Sequence, residues 1–246
     1  MPAPLDHPVR TGARGTAVLL LLPALIALSA LPATDLSAQT AEGIQEVKGA
    51  GFFAIGAHRI SISELNDRLV GAGLPEFGSV MFSIGGGGYA LRGEHLLIGG
   101  EGYGILAGEV TGDGRPINLA GGYGLFNLGY LQPLGPGVDV YPLLGFGGGG
   151  LTLDFGAQGT SDGFDEVIAD PGREASLTRG GILMSIGGGA RLRLSDADGG
   201  LILGMRAGYT FEPFSVNWRM GGTTLGGGPD TPLSGLYLRF SVGAGR

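Results

Sequence analysis

The chain has 246 residues, no cysteine and a formal net charge of -7. The lack of cysteine excludes disulfide frameworks and thiolate metal sites, and the acidic balance argues against a nucleic-acid partner, which requires a basic patch. Glycine is unusually abundant at 53 residues, but 43% of residues are hydrophobic and there is no Gly-X-Y period, so the composition fits neither a disordered nor a collagen-like chain.

The first 38 residues have the features of an export signal. Arg10 and Arg14 precede an apolar run over 17–30, which is too short to span a bilayer comfortably and fits the apolar region of a signal peptide. Ala38 then places a small residue before Gln39, as signal cleavage requires. We predict a signal peptide over 1–38 and a mature domain over 39–246. An uncleaved N-terminal anchor is the alternative.

Eight segments of the mature chain have the composition of β-strands. They cover residues 47–59, 77–90, 95–110, 117–131, 138–155, 177–194, 200–212 and 234–244. Most exceed the roughly 9–11 residues with which a tilted strand crosses a bilayer. In the seventh segment Leu203 and Met205 lie on the face opposite Arg206, and in the last segment Phe240 lies opposite Arg239. This period of two predicts strands with one apolar face and one small or charged face.

The connections between these segments alternate in length. Long stretches near 60–76, 156–176 and 213–233 and a medium loop around 111–116 follow the odd segments, whereas short turns follow the even ones. An outer-membrane barrel has short periplasmic turns and longer external loops. We therefore predict an all-β fold, a closed antiparallel up-and-down transmembrane β-barrel of about eight strands.

The first long connection carries a helix signal. Ser61 and Glu64 have the spacing of a capping box, Leu65 and Leu69 follow it, and a glycine at 71 or 73 ends the pattern. The pattern predicts a short amphipathic helix that packs against the barrel rim. Capping the outer mouth and binding a partner are the alternatives.

Glycine runs at 85–88 and 147–150 interrupt two of the predicted strands. The interior of an eight-stranded barrel is narrow and is filled by side chains. We therefore expect small residues to face inward, where they relieve crowding. Glycine also tolerates the sharp coiling of tightly curved strands.

Glycine and aromatic residues recur together at 85–89, 99–103 and 121–124, and the closing segment over 236–242 alternates apolar with polar residues. With the export signal, these features resemble the small outer-membrane barrels of the OmpA/OmpX type, over essentially the whole mature chain. The resemblance is one of architecture. It implies location in the cell outer membrane, contact with outer-membrane lipid and recognition by the barrel-insertion machinery.

Charged residues are expected inside the barrel. The inward faces of the last three segments carry Arg191, Arg193, Arg206 and Arg239, and the third segment offers Glu101. Charges in a narrow lumen are costly unless they are paired, so we expect Glu101 to meet one or more of these arginines. We interpret the set as a structural ion-pair network that fills the core. A gate or an ion path is the functional alternative.

Two loop features are candidates for contacts outside the barrel. The connection after the fifth segment contains Asp162, Asp165, Glu166 and Asp170. Their spacing matches no EF-hand, so a solvated acidic loop is favoured over a Ca²⁺ site, and no metal is expected. Trp218, the only tryptophan, lies in the last long loop and is expected to mark a contact surface or an interfacial anchor.

These features predict a non-enzymatic outer-membrane protein with a structural or surface-interaction role. No cofactor and no catalytic residue is expected, and the partner of the external loops is not specified by the sequence. The first alternative is a barrel enzyme acting on outer-membrane lipid, built on His58 with Ser61 or Ser63. A secreted soluble barrel with the apolar stripe turned inward, around an apolar ligand, and a small pore are the others.

Overall fold

The computed structural model of the chain describes residues 48–112, 114–156, 174–194, 199–214 and 216–245. The predicted signal peptide over 1–38 lies outside them. In chain order the elements are β1 (Lys48–Arg59), α1 (Ser63–Gly71), β2 (Val80–Arg92), β3 (Leu96–Gly112), β4 (Arg115–Tyr130), β5 (Gln132–Gly135), β6 (Val138–Phe155), β7 (Ala175–Arg193), β8 (Gly200–Phe211), β9 (Arg219–Met220), β10 (Thr223–Thr224) and β11 (Gly235–Gly245). No helix in this described part is long and apolar enough to cross a membrane.

Eight of the strands form one antiparallel ring. Its order is β1, β2, β3, β4, β6, β7, β8 and β11, and β11 pairs with β1 to close it. Closure pairs both edges of the sheet, so the ring has no free edge strand. Of the short strands, β5 adds to β6, β9 to β7 and β10 to β9. The chain is therefore a closed eight-stranded antiparallel β-barrel, which confirms the predicted up-and-down barrel of about eight strands.

Each of the eight predicted segments corresponds to one strand of the ring, and parts of three predicted connections are strand instead. β5 lies in the short connection after the fourth segment, and β9 and β10 lie in the last long loop. The medium loop expected around 111–116 is mostly hairpin, because β3 continues to Gly112 and pairs there with Arg115 of β4. Gly114 has a φ of 73°, which lets the chain reverse within a tight turn. Turn-forming residues in the sequence marked the reversal but not how far the paired strands extend.

Four neighbouring strands of the ring are longer than the other four. β3, β4, β6 and β7 have 17, 16, 18 and 19 residues, whereas β1, β2, β8 and β11 have 12, 13, 12 and 11. The extra residues lie at the end of the barrel that carries the connections 60–79 and 212–234, here called the outer end. We call these projecting residues, 107–112, 115–120, 150–155 and 175–181, the outer wall. The opposite end, with its short connections, is the turn end.

A hydrophobic cluster fills the outer half of the lumen. Inward residues of the longer strands, among them Ile105 and Leu153, pack there with Leu65 and Leu69 of α1. The predicted helix is present, but its predicted capping box is wrong. The helix begins at Ser63 with no side-chain capping hydrogen bond. Burial of its two leucines, rather than a cap, holds α1 at the outer end.

Glycines face both sides of the barrel, so the expectation that they face inward is only half right. Members of the run 85–88 alternate between the two faces. A Cβ added at the inward Gly87 would lie 2.8 Å from the Cα atom of Glu101, which is too close. A Cβ at the outward Gly102 would approach nothing nearer than 3.7 Å, the carbonyl oxygen of Tyr123. The backbone of the neighbouring strand thus leaves no room for a side chain at Gly87. The same holds at the outward Gly86, where a Cβ would lie 2.5 Å from the carbonyl oxygen of Phe52, but not at Gly102.

Candidate functional site

The two faces of the barrel differ sharply in polarity. Leu203 and Met205 of β8 are exposed on the outer surface, as is Phe240 of β11, whose exposed fraction is 56%. On the inward face of the same strands, Arg206 and Arg239 are buried, at 7% and 1% exposure. An apolar exterior with a polar interior is the distribution of a barrel embedded in lipid.

Glu101 and Arg206 form an ion pair across the centre of the lumen. Arg206 Nη1 lies 2.5 Å from Glu101 Oε2, and Arg206 Nε donates to the hydroxyl of Tyr141 at 2.9 Å. The hydroxyl of Tyr103 donates to the same carboxylate oxygen at 3.2 Å. β3 and β8 are four positions apart in the ring of eight, so this pair joins opposite walls of the barrel.

Arg239 is held by aromatic rings instead of by a carboxylate. Its guanidinium lies 3.6 Å from the ring centroid of Tyr103 and 4.1 Å from that of Tyr237. It donates hydrogen bonds to the hydroxyl of Tyr123 and, at 3.4 Å, to the hydroxyl of Ser83. No carboxylate among the described residues lies within salt-bridge distance of it. Cation–π attraction is strongest when the cation is desolvated, as it is here.

Arg191 and Arg193 contact a carboxylate that the sequence analysis did not single out. Asp139 Oδ2 lies 2.8 Å from Arg191 Nε and 3.5 Å from Arg193 Nε. These two arginines therefore do not meet Glu101. Asp139 is paired directly with Arg191 in the β6–β7 ladder, and its inward position was visible as part of the alternation Asp139, Tyr141, Leu143. Arg191 also donates to the hydroxyl of Tyr89 at 2.8 Å.

A second buried ion pair ties the last long loop to the barrel at the outer end. Arg179 Nη2 of β7 lies 2.7 Å from Glu212 Oε2, and Arg179 Nη1 lies 3.4 Å from Asp230 Oδ1. Glu212 Oε1 also accepts a hydrogen bond from the backbone N–H of Leu233 at 2.8 Å. The backbone N–H of Asp230 donates to Glu64 of α1 at 2.8 Å. Sequence patterns did not reveal this clamp, because its members come from three distant segments.

Trp218 does not mark a contact surface or an interfacial anchor, which corrects the prediction made for it. Its exposed fraction is 3%, it belongs to the outer hydrophobic cluster, and its indole Nε1 donates to the carbonyl oxygen of Pro229 at 2.9 Å. The loop folds back over the lumen, and its largest apolar side chain fills the space. The other loop candidates, Asp162, Asp165, Glu166 and Asp170, lie outside the described residues.

His58 is buried and is not paired with the serines considered for a catalytic dyad. Its Nε2 lies 3.0 Å from Thr210 Oγ1, and its ring packs edge-on against Tyr123. Ser61 and Ser63 are exposed at the rim, so the fold does not bring them to the imidazole. Within the described residues, no group of three or more histidine and acidic side chains is arranged to hold a metal ion.

Comparison with known proteins gives matches to solved structures alone. The sequence matches no protein-family model and no curated protein. The barrel is similar to Ail. This is the attachment invasion locus protein of Yersinia pestis, and its crystal structure aligns over 82% of this chain and 98% of Ail with 9% identity and a TM-score of 0.42. A second crystal structure, of Ail in complex with the heparin analogue sucrose octasulfate, aligns over the same shares with 11% identity and a TM-score of 0.42.

Proposed function

We propose that this chain is an integral protein of the bacterial outer membrane, and that its barrel anchors a projecting wall for contacts at the cell surface. The observation that carries the proposal is the opposite polarity of the two faces. A belt of exposed Leu, Ile, Phe, Met and Val side chains surrounds a barrel whose interior holds paired arginines. In water such a belt would be an aggregation surface, whereas lipid acyl chains solvate it.

The outer wall supports the surface role. Its outward positions on three adjacent strands carry small polar residues, including Asn118, Asp154 and Ser176, which are neighbours in the strand register. Nearer the turn end, the outward positions of the same strands carry Phe126, Phe146 and other large apolar side chains. The change from apolar to polar marks the level at which the wall leaves the membrane, and it gives the wall a flat, hydrated face.

The alternative functions fit the structure less well. A soluble barrel around an apolar ligand needs Leu203 and Met205 inside, and both are outside. A pore needs an open lumen, whereas the Glu101–Arg206 pair crosses this one and the outer cluster fills its outer half. A lipid-modifying enzyme built on His58 needs an imidazole that the substrate can reach, whereas His58 and the Thr210 hydroxyl beside it are both fully buried.

Topology in the membrane can be tested with single cysteines, because the chain has none of its own. Ser176→Cys places a near-isosteric thiol on the exposed outer wall, and Glu94→Cys places one in an exposed connection at the turn end. In intact cells, a membrane-impermeant maleimide should label only Ser176→Cys, and Glu94→Cys should react only after the outer membrane is permeabilised. Equal labelling of the two variants in intact cells, or recovery of the chain in the soluble fraction, would contradict the proposal.

A further inference from the structure

A small cavity remains inside the turn half of the lumen. It has room for about one water molecule or one ion of similar size. The side chains that line it include Arg191, Arg206, Tyr89, Tyr141 and Ser241. Each of these residues comes from a different strand of the ring. Arg191 is in β7, Arg206 in β8, Tyr89 in β2, Tyr141 in β6 and Ser241 in β11. An occupant of this cavity would therefore touch most of the circumference of the barrel.

The lining is rich in hydrogen-bond donors. Arg191 donates from Nε to Asp139 and from Nη1 to the Tyr89 hydroxyl. The hydrogens of its Nη2 have no bond to another described residue. Arg206 donates from Nε to the Tyr141 hydroxyl and from Nη1 to Glu101. The hydrogens of its Nη2 likewise have no bond to another described residue.

The hydroxyl groups add further donors. Each tyrosine oxygen accepts a hydrogen bond from an arginine, so its own proton is available to donate. Ser241 contributes a hydroxyl as well, whereas Asp139 and Glu101 do not line the cavity. A water molecule must donate as well as accept, so a lining of this kind satisfies an anion more fully than a water.

The charge balance of the lumen also favours an anion in this cavity. Arg191 is paired with Asp139 and Arg206 with Glu101, but the buried Arg239 has only aromatic and hydroxyl contacts among the described residues. The interior therefore holds more cationic than anionic groups, and buried charge is costly unless it is offset.

We infer that this cavity binds a single small monovalent anion of the halide class, which joins Arg191, Arg206, Tyr89, Tyr141 and Ser241 across the lumen. The anion stabilises the folded barrel because the unfolded chain has no such site, so stability depends on its concentration. Polyatomic anions such as gluconate are too large for the cavity.

Bromide is the direct probe, because it scatters anomalously. Crystals of the folded barrel soaked in sodium bromide should show an anomalous difference peak within hydrogen-bonding distance of Arg191 and Arg206. A peak of ordinary density at the same place with no anomalous signal identifies a water molecule and overturns the inference.

A solution measurement tests the linkage independently. At constant ionic strength, the temperature at which the folded barrel unfolds should be several degrees higher in sodium chloride than in sodium gluconate. Ser241→Leu fills the cavity and should abolish this difference, and Ser241→Ala, which removes one donor without adding bulk, should reduce it.

Ser185→Ala is the matched control. Ser185 also faces inward, but its hydroxyl is hydrogen-bonded to that of Tyr237 and does not line the cavity, so the difference between chloride and gluconate should persist. Equal unfolding temperatures of the unmodified protein in the two salts would overturn the inference.

Discussion

Each of three buried arginines reaches across the barrel to the wall opposite its own. Arg206 of β8 meets Glu101 of β3, Arg239 of β11 meets Tyr123 of β4, and Arg191 of β7 meets Tyr89 of β2. In every case the two strands are four positions apart in the ring of eight. Charge-assisted hydrogen bonds of this kind offset the desolvation of the guanidinium groups and fix the distance between opposite walls.

Removing the charge of Glu101 should destabilise the barrel strongly. In Glu101→Gln, Arg206 stays buried without its counter-charge, which typically costs about 3–5 kcal/mol. Urea unfolding of the protein in lipid vesicles measures the change. Glu109→Gln is the control, because Glu109 lies in the same strand but is exposed, and its replacement should change stability by less than about 0.5 kcal/mol. Similar losses for the two variants would contradict a paired buried charge at Glu101.

At the scale of elements, the last long loop depends on one ion pair for its position over the lumen. Glu212 joins Arg179 of β7 to the backbone of Leu233, and Asp230 connects the same loop to α1. The outer cluster, with Trp218 inside it, then packs beneath the loop. Because side chains from one strand, one helix and the loop itself must all be in place, we expect the clamp to form only in the closed barrel.

Glu212→Gln should loosen this loop without opening the barrel. Arg179 would lose the closer and more buried of its two charged partners, and the loop would release Trp218 towards water. Since Trp218 is the only tryptophan, its fluorescence reports on the loop alone. The emission maximum should move to longer wavelength, and quenching by acrylamide should increase. Glu76→Gln, at an exposed site in the first connection, should leave both unchanged. An unchanged Glu212→Gln spectrum would contradict the clamp.

Closure of the ring is the property of the whole molecule on which its membrane assignment depends. The β1–β11 ladder, from Ala50↔Gly245 to His58↔Tyr237, joins the first strand of the ring to the last. Without it, β1 and β11 would each present unpaired backbone groups to lipid, which is strongly unfavourable.

The complete chain should therefore change mobility on gel electrophoresis when it is boiled, and it should fractionate with outer membranes. A chain shortened to end at residue 234, which lacks β11, should run at one position whether boiled or not. A full-length chain whose mobility is insensitive to heating would contradict a closed membrane barrel.

The sequence by itself determined the eight strands of the ring, the two faces of each and the presence of α1, because alternation, helical spacing and turn residues are local signals. It also placed Glu101, Arg206 and Arg239 on inward faces. Only the tertiary structure decided which partners these residues contact. It showed that Arg191 forms its ion pair with Asp139 and not with Glu101, and that Trp218 is buried. Partners across the lumen lie on strands far apart in the chain, and their meeting depends on ring order and register. A loop's docking likewise depends on the space that the closed barrel leaves for it.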